Sequence, residues 1–125
     1  MHELSIAASI LQLARRHVPP GERLVAVTVR AGPLRAIDDA AMSLAWRATT
    51  DNTAYDGCVL KLQQLPWRLQ CPRCRRVWQH TDRFAVCNCG CETPAAIGGD
   101  ELDLTSINVE PMKQQSAAMP LAESS

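Results

Sequence analysis

Five of the six cysteines fall between positions 71 and 91, as Cys71-Pro72-Arg73-Cys74, a gap of twelve residues, then Cys87-Asn88-Cys89-Gly90-Cys91. No other feature restricts the fold as much. A CxxC turn aims two thiolates at one point and leaves backbone N–H groups facing the sulfurs. A second sulfur pair across a short hairpin completes a tetrahedral S4 site, for which Zn(II) is the best-suited ion. The stretch is too poor in apolar residues to fold alone. The metal must supply much of its folding free energy, on the order of 10 kcal/mol for small zinc modules. A redox CxxC of the thioredoxin kind would instead stand alone at the start of a helix. Cys71 and Cys74 form the first pair. The second is irregular, because any two of Cys87, Cys89 and Cys91 make one. Gly90 matches the left-handed glycine that often follows a knuckle's second cysteine, which favours Cys87 and Cys89. Cys91 is the competitor. Cys58, outside the cluster, reads as a small buried apolar residue.

The rest of the composition agrees with metal rather than disulfides. The apolar run at the N-terminus lacks a basic leader and is interrupted by Glu3, Gln12, Arg15 and Arg16. No secretory signal is expected, and no run of about 18 apolar residues exists to span a membrane. A cytoplasmic chain, which this pattern predicts, keeps its thiols reduced. Formal net charge is zero, which argues against a protein basic throughout and built for nucleic acid. Within the insert, Arg68, Arg73, Arg75, Arg76 and Arg83 interleave with Trp67, Trp78 and Phe84. We read these as solvated arginines around a small aromatic cluster, with no nucleic-acid partner. A metalloenzyme would need an open metal position beside a general base. A thiolate-only zinc leaves no vacancy, so the chain reads as non-enzymatic.

Periodicity predicts a helix over residues 3–17. Its polar stripe, Ser5, Ser9, Gln12 and Arg16, is narrow, so the helix should be largely buried or meet a partner. Pro19-Pro20-Gly21 ends it. Valine-rich residues 24–30 read as a strand. Asp38 is placed to cap a second helix running to about Thr49, with Ile37 and Met42 as a hydrophobic staple and Ala41, Leu44, Ala45 and Ala48 on one face. Residues 58–65 alternate as a strand, with Cys58, Leu60, Leu62 and Gln64 on one side. Residues 102–109 form a last strand, in which a parity shift near Ser106 marks a bulge. The order predicts an α+β fold: two helices on a three-stranded sheet, with a zinc ribbon inserted before the final strand. We assign residues 1–66 plus 98–110 to the α/β domain, 67–97 to the ribbon, and 111–125 to a disordered tail.

The start, Met1-His2-Glu3, is a second candidate metal site. A free α-amino group, the amide nitrogen of residue 2 and the His2 imidazole close two fused chelate rings. Such a near-planar nitrogen set suits Ni(II) or Cu(II) better than Zn(II). Bulky His2 should preserve Met1 from removal. The first N–H groups of a helix have no acceptor within it, so the amides of His2 and Glu3 can be recruited without breaking helix bonds. Glu3 partly offsets the positive end of the helix dipole. His17 reads as dipole compensation at a helix end, and His80 as a surface residue of the hairpin that could contribute to nickel.

Three separated motifs then resemble one family. Met1-His2-Glu3-Leu4-Ser5, Cys71-Pro-Arg-Cys74 with its second cysteine cluster, and Gly99-Asp100-Glu101-Leu102 leading to Ser106-Ile107-Asn108-Val109-Glu110 are similar to the HypA/HybF hydrogenase-maturation proteins over residues 1–110. The resemblance implies a nickel metallochaperone that carries Ni(II) toward the large subunit of [NiFe]-hydrogenase with the GTPase HypB; some members also serve urease. It makes His2, with Glu3 beside it, the nickel ligands, and Cys71 and Cys74 the first zinc pair. The family's second pair is usually CPxC before glycine. Here Cys87-Asn88-Cys89 precedes Gly90, one residue shorter. The implied fold is a small mixed α/β nickel-binding domain carrying a zinc ribbon, and a homodimer is left open.

Overall fold

The computed structural model describes residues 2–112. Its elements are α1 (His2–Arg15), β1 (Glu22–Ala31), α2 (Asp39–Thr50), β2 (Val59–Gln64), β3 (Trp67–Gln70), β4 (Val77–His80), β5 (Ala95–Ala96) and β6 (Leu102–Pro111). They form two helices and two three-stranded sheets, in the orders β2-β1-β6 and β4-β3-β5. This is the α+β fold expected from the sequence. Among the described residues no helix is long and apolar enough to cross a membrane.

Valine-rich β1 lies in the middle of the first sheet, parallel to β2 and antiparallel to β6. A parallel pair needs a crossover, and α2 supplies it. Both helices share one core with this sheet, built on Ala7, Ile10, Leu11 and Ala14 of α1, Val27 and Val29 of β1, and Met42 and Trp46 of α2. The bulge in β6 falls at Thr105: Thr28 pairs with Ser106 and Val29 with Leu104, so Thr105 has no opposite number. It keeps Leu104 and Ile107 both against the core.

The first helix ends two residues early. Arg16, His17 and Val18 continue in tighter i→i+3 bonds before Pro19 stops the chain. Leu4 and Leu13 lie exposed, so its solvent face is wider than the polar stripe alone. Asp38 caps α2 through a carboxylate that accepts the Ala41 N–H at 2.8 Å. Replacing it with alanine should lower stability by about 1 kcal/mol, read as a reduced denaturation midpoint with unchanged slope.

The buried face of α2 differs from the expected one. Met42, Ala45, Trp46 and Thr50 point inward, while Leu44 is 68% exposed and Ala48 faces solvent. The two largest of the buried side chains, Met42 and Trp46, four residues apart, decide the rotation of the helix. The Trp46 indole N–H fixes it by donating to the Cys58 carbonyl at 2.8 Å.

The second sheet joins the first through two crossings, and both are pinned near the end of β1. At the exit from β2, the Leu65 N–H donates to Ala31 O at 2.8 Å. On the return, the Gly32 N–H donates to Glu101 O at 2.8 Å and the Leu34 N–H to Gly99 O at 2.7 Å. Arg35 Nε adds a bond to Asp100 O at 2.7 Å. β6 continues through Pro111, which pairs with Glu22, and the Met112 N–H donates to Gly21 O. The remainder of the expected tail, residues 113–125, lies outside the described residues.

Candidate metal centres

Strands β3 and β4 form a hairpin whose turn is the first knuckle. The Arg75 N–H donates to Cys71 O and the Cys71 N–H to Arg76 O, each at 2.9 Å. Arg75, the residue after Cys74, takes φ 69°. The second knuckle repeats this arrangement with one residue fewer. The Gly90 N–H donates to Cys87 O at 2.9 Å and the Cys87 N–H to Cys91 O at 3.0 Å. Gly90, the residue after Cys89, takes φ 96°. Each turn therefore reverses at a left-handed residue following its second cysteine, a conformation that glycine adopts most readily.

The two turns face each other. Cys71, Cys74, Cys87 and Cys89 bring their sulfurs within 4.8 Å of one another. Cys71 Sγ lies 3.5 Å from Cys89 Sγ, and Cys74 Sγ 3.6 Å from Cys87 Sγ. Zinc–sulfur bonds of about 2.3 Å at tetrahedral angles set sulfur separations of roughly 3.8 Å, so the four thiols have the size and chemistry such an ion needs. Cys71 and Cys87 are buried, while Cys74 and Cys89 are exposed. The backbone N–H groups of Arg73 and Cys74 both point at Cys71 Sγ from 3.4 Å. The Cys89 backbone N–H holds the Cys87 thiol down to about 6 despite its burial, helped by the Cys74 and Cys89 thiols and by Arg76. Donors of this kind favour the thiolate, the form that binds metal, although at Cys71 burial and the Cys89 thiol outweigh them and leave its pKa raised.

Cys91 is not in the group of four. Its carbonyl closes the second knuckle, and its thiol lies 3.7 Å from Thr93 Oγ1. Cys58 is remote and buried against the α/β core, where desolvation raises its pKa. The arginines meet aromatic rings: Arg76 stacks 4.7 Å from the centre of Trp78, and Arg83 lies against Trp67 and Phe84.

At the other candidate site, His2 is exposed on the first turn of α1, with its Nδ1 3.6 Å from Glu3 Oε1. Met1 lies outside the described residues. Glu3 is buried, a placement the sequence did not lead us to expect. Its Oε2 accepts the Asp38 N–H at 3.3 Å, tying the start of α1 to the cap of α2. That backbone bond holds the carboxyl below the ordinary carboxylate range against the cost of burial, and neighbouring His2 adds to it. His80 is turned to its own hairpin, where Nδ1 accepts the Asp82 N–H at 2.9 Å. His17 lies beside Leu104–Ile107 of β6.

Comparison with known proteins decides between a bare zinc ribbon and something more specific. The family model described as hydrogenase/urease nickel incorporation, metallochaperone, HypA matches residues 1–109. The chain belongs to the HypA family. It is 32% identical over 113 residues to the hydrogenase maturation factor HypA of Azotobacter chroococcum, covering 88% of this chain and all of that protein. The Geobacter metallireducens factor of the same name is 29% identical over 111 residues, with the same coverage. Among solved structures, the solution structure of the nickel metallochaperone HypA from Helicobacter pylori aligns with a TM-score of 0.59 at 19% identity, over 88% of this chain and 98% of that one. At that identity the likeness speaks for the fold alone. As a HypA-family member, this protein is a nickel metallochaperone of hydrogenase maturation.

Proposed function

We propose that this HypA-family chain binds Ni(II) at Met1-His2-Glu3 and passes it, without catalysing a reaction, toward the large subunit of [NiFe]-hydrogenase in concert with a HypB-type GTPase in the cytoplasm. The observation that carries this reading is the family match running from residue 1, which takes in Met1-His2-Glu3 and the cysteine knuckles together. His2 is open to solvent, as a site that must receive and surrender its cargo requires. The Glu3 carboxylate is already engaged at Asp38. Its part in the site is therefore to fix the first turn and to place negative charge near the cation, while the amides there serve as ligands. Nickel is cargo; zinc is resident. In this reading Cys71, Cys74, Cys87 and Cys89 hold a structural Zn(II), and residues 67–97 are a unit whose order depends on it.

The test is a nickel titration of protein with a free Met1 amine, of His2→Ala, and of a variant extended by one N-terminal residue. The free-amine protein should bind with the absorption of a square-planar nitrogen site, and both variants should lose that band and the affinity that goes with it. Equal affinity and one spectrum for all three would show that nickel binds elsewhere.

A further inference from the structure

The two knuckles are related position by position, and this exposes what Cys91 does. Cys87 pairs with Cys71, Gly90 with Arg75, and Cys91 with Arg76, because the Cys71 N–H donates to Arg76 O as the Cys87 N–H donates to Cys91 O. Arg76 reaches across to the opposite pair, with Nη1 3.9 Å from Cys87 Sγ. By the same relation the side chain of Cys91 comes in beside Cys71, and Cys71, Cys87 and Cys91 form one buried cluster under Trp78. Where the first knuckle holds an arginine next to the opposite sulfur, the second holds a fifth thiol.

The burial of the five is uneven. Cys91 is 6% exposed, less than Cys89, which faces solvent, although Cys89 stands in the group of four. Cys89 Sγ and the Cys91 side chain both flank Cys71. The Cys91 thiol is held by Thr93, through its backbone N–H and through Oγ1 at 3.7 Å, and it also meets the Cys71 thiol. We propose that Cys91 is a reserve ligand of the cysteine site, which takes over the position of Cys89 when that exposed thiolate leaves. The exchange is balanced. The bond from the metal to Cys89 sulfur breaks and that sulfur takes up a proton; Cys91 sulfur gives up a proton and bonds in its place. Four thiolates and the net charge are kept. The short second knuckle makes this substitution available, since a one-residue spacer puts a third cysteine just past the turn. The inference rests on the reading of the four cysteines as a zinc site.

The test uses the full chain loaded with zinc. Brief treatment with a small alkylating agent should label Cys89, and mass mapping should find that the labelled chain still carries one zinc. Cys89→Ser should likewise keep one zinc, and its cobalt-substituted form should show the thiolate charge-transfer intensity of four sulfurs. In Cys89→Ser/Cys91→Ser that intensity should fall by a quarter. Zinc released in step with labelling of Cys89, or a three-sulfur spectrum in Cys89→Ser, would overturn the proposal. Wild-type protein that binds no zinc would instead overturn the zinc reading itself, so the two failures are distinguishable.

Discussion

Cys71→Ser should abolish stoichiometric zinc binding and unfold residues 67–97 while the α/β layer stays folded. Cys71 is the most enclosed of the four thiols, fully buried, with two backbone N–H groups on its sulfur and Cys89 Sγ at 3.5 Å. A serine oxygen there is a harder, shorter donor that does not form thiolate bonds. The insert has little else to hold it. Its buried apolar content, outside the cysteines, is Leu69 and Pro94, with Trp78 packed against the cysteines, and its strands are only two to four residues long. A zinc module of this size draws on the order of 10 kcal/mol from its metal, which those contacts cannot replace. The α/β layer, by contrast, has its own core from α1, α2 and the first sheet. Metal analysis should find zinc lost from the variant. Hydrogen exchange should show the β3 and β4 amides unprotected, with those of Val27 and Val29 as slow as in the parent. A variant that keeps one zinc per chain, or that loses protection equally in both regions, would refute this.

Much of this arrangement was legible in the sequence because the signals were local. A CxxC, a valine-rich run, an Asp38 cap and a parity shift near Ser106 each act within a few residues, and each appears where expected. The pairing of Gly90 with Arg75 gives a physical ground for preferring Cys87 and Cys89. What escaped reading depends on contacts between distant residues. The face of α2 is decided by the reach of Trp46 to Cys58, not by its own alanines. Nothing in Met1-His2-Glu3 announces that the Glu3 carboxylate turns inward to Asp38, 35 residues away. Gly99-Asp100-Glu101-Leu102 could be read only as a motif. In the fold it is the strip that docks the returning chain against residues 32–35.

That docking strip leads to the second large effect. Gly32→Ala should cost about 3 kcal/mol or more, the sum of overpacking at about 1–3 kcal/mol and two backbone hydrogen bonds near 1 kcal/mol each. The reason is space and not backbone conformation, because Gly32 has φ −77° and ψ 161°, open to any residue. A Cβ at Gly32 would stand closer than 3.0 Å to Glu101 Oε1 and to the carbonyl carbon and oxygen of Gly99. Two of those three atoms are backbone and cannot swing away. Glu101 Oε1, the third, is the end of a flexible side chain, buried without a hydrogen-bond partner. Relief therefore requires the 99–101 segment to lift, breaking the bonds from Gly32 to Glu101 and from Leu34 to Gly99. Gly57→Ala is the matched comparison: its φ of 85° strains any side chain, yet nothing lies within 4 Å. It should cost only about 1–2 kcal/mol. Thermal melts should place Gly32→Ala about 10 °C or more below the parent, with zinc content unchanged, since the group of four is drawn from the knuckles at 71–74 and 87–89 and not from the strip. A Gly32→Ala melt equal to that of Gly57→Ala would mean the strip yields without loss, and that the ribbon is not anchored to the α/β layer through it.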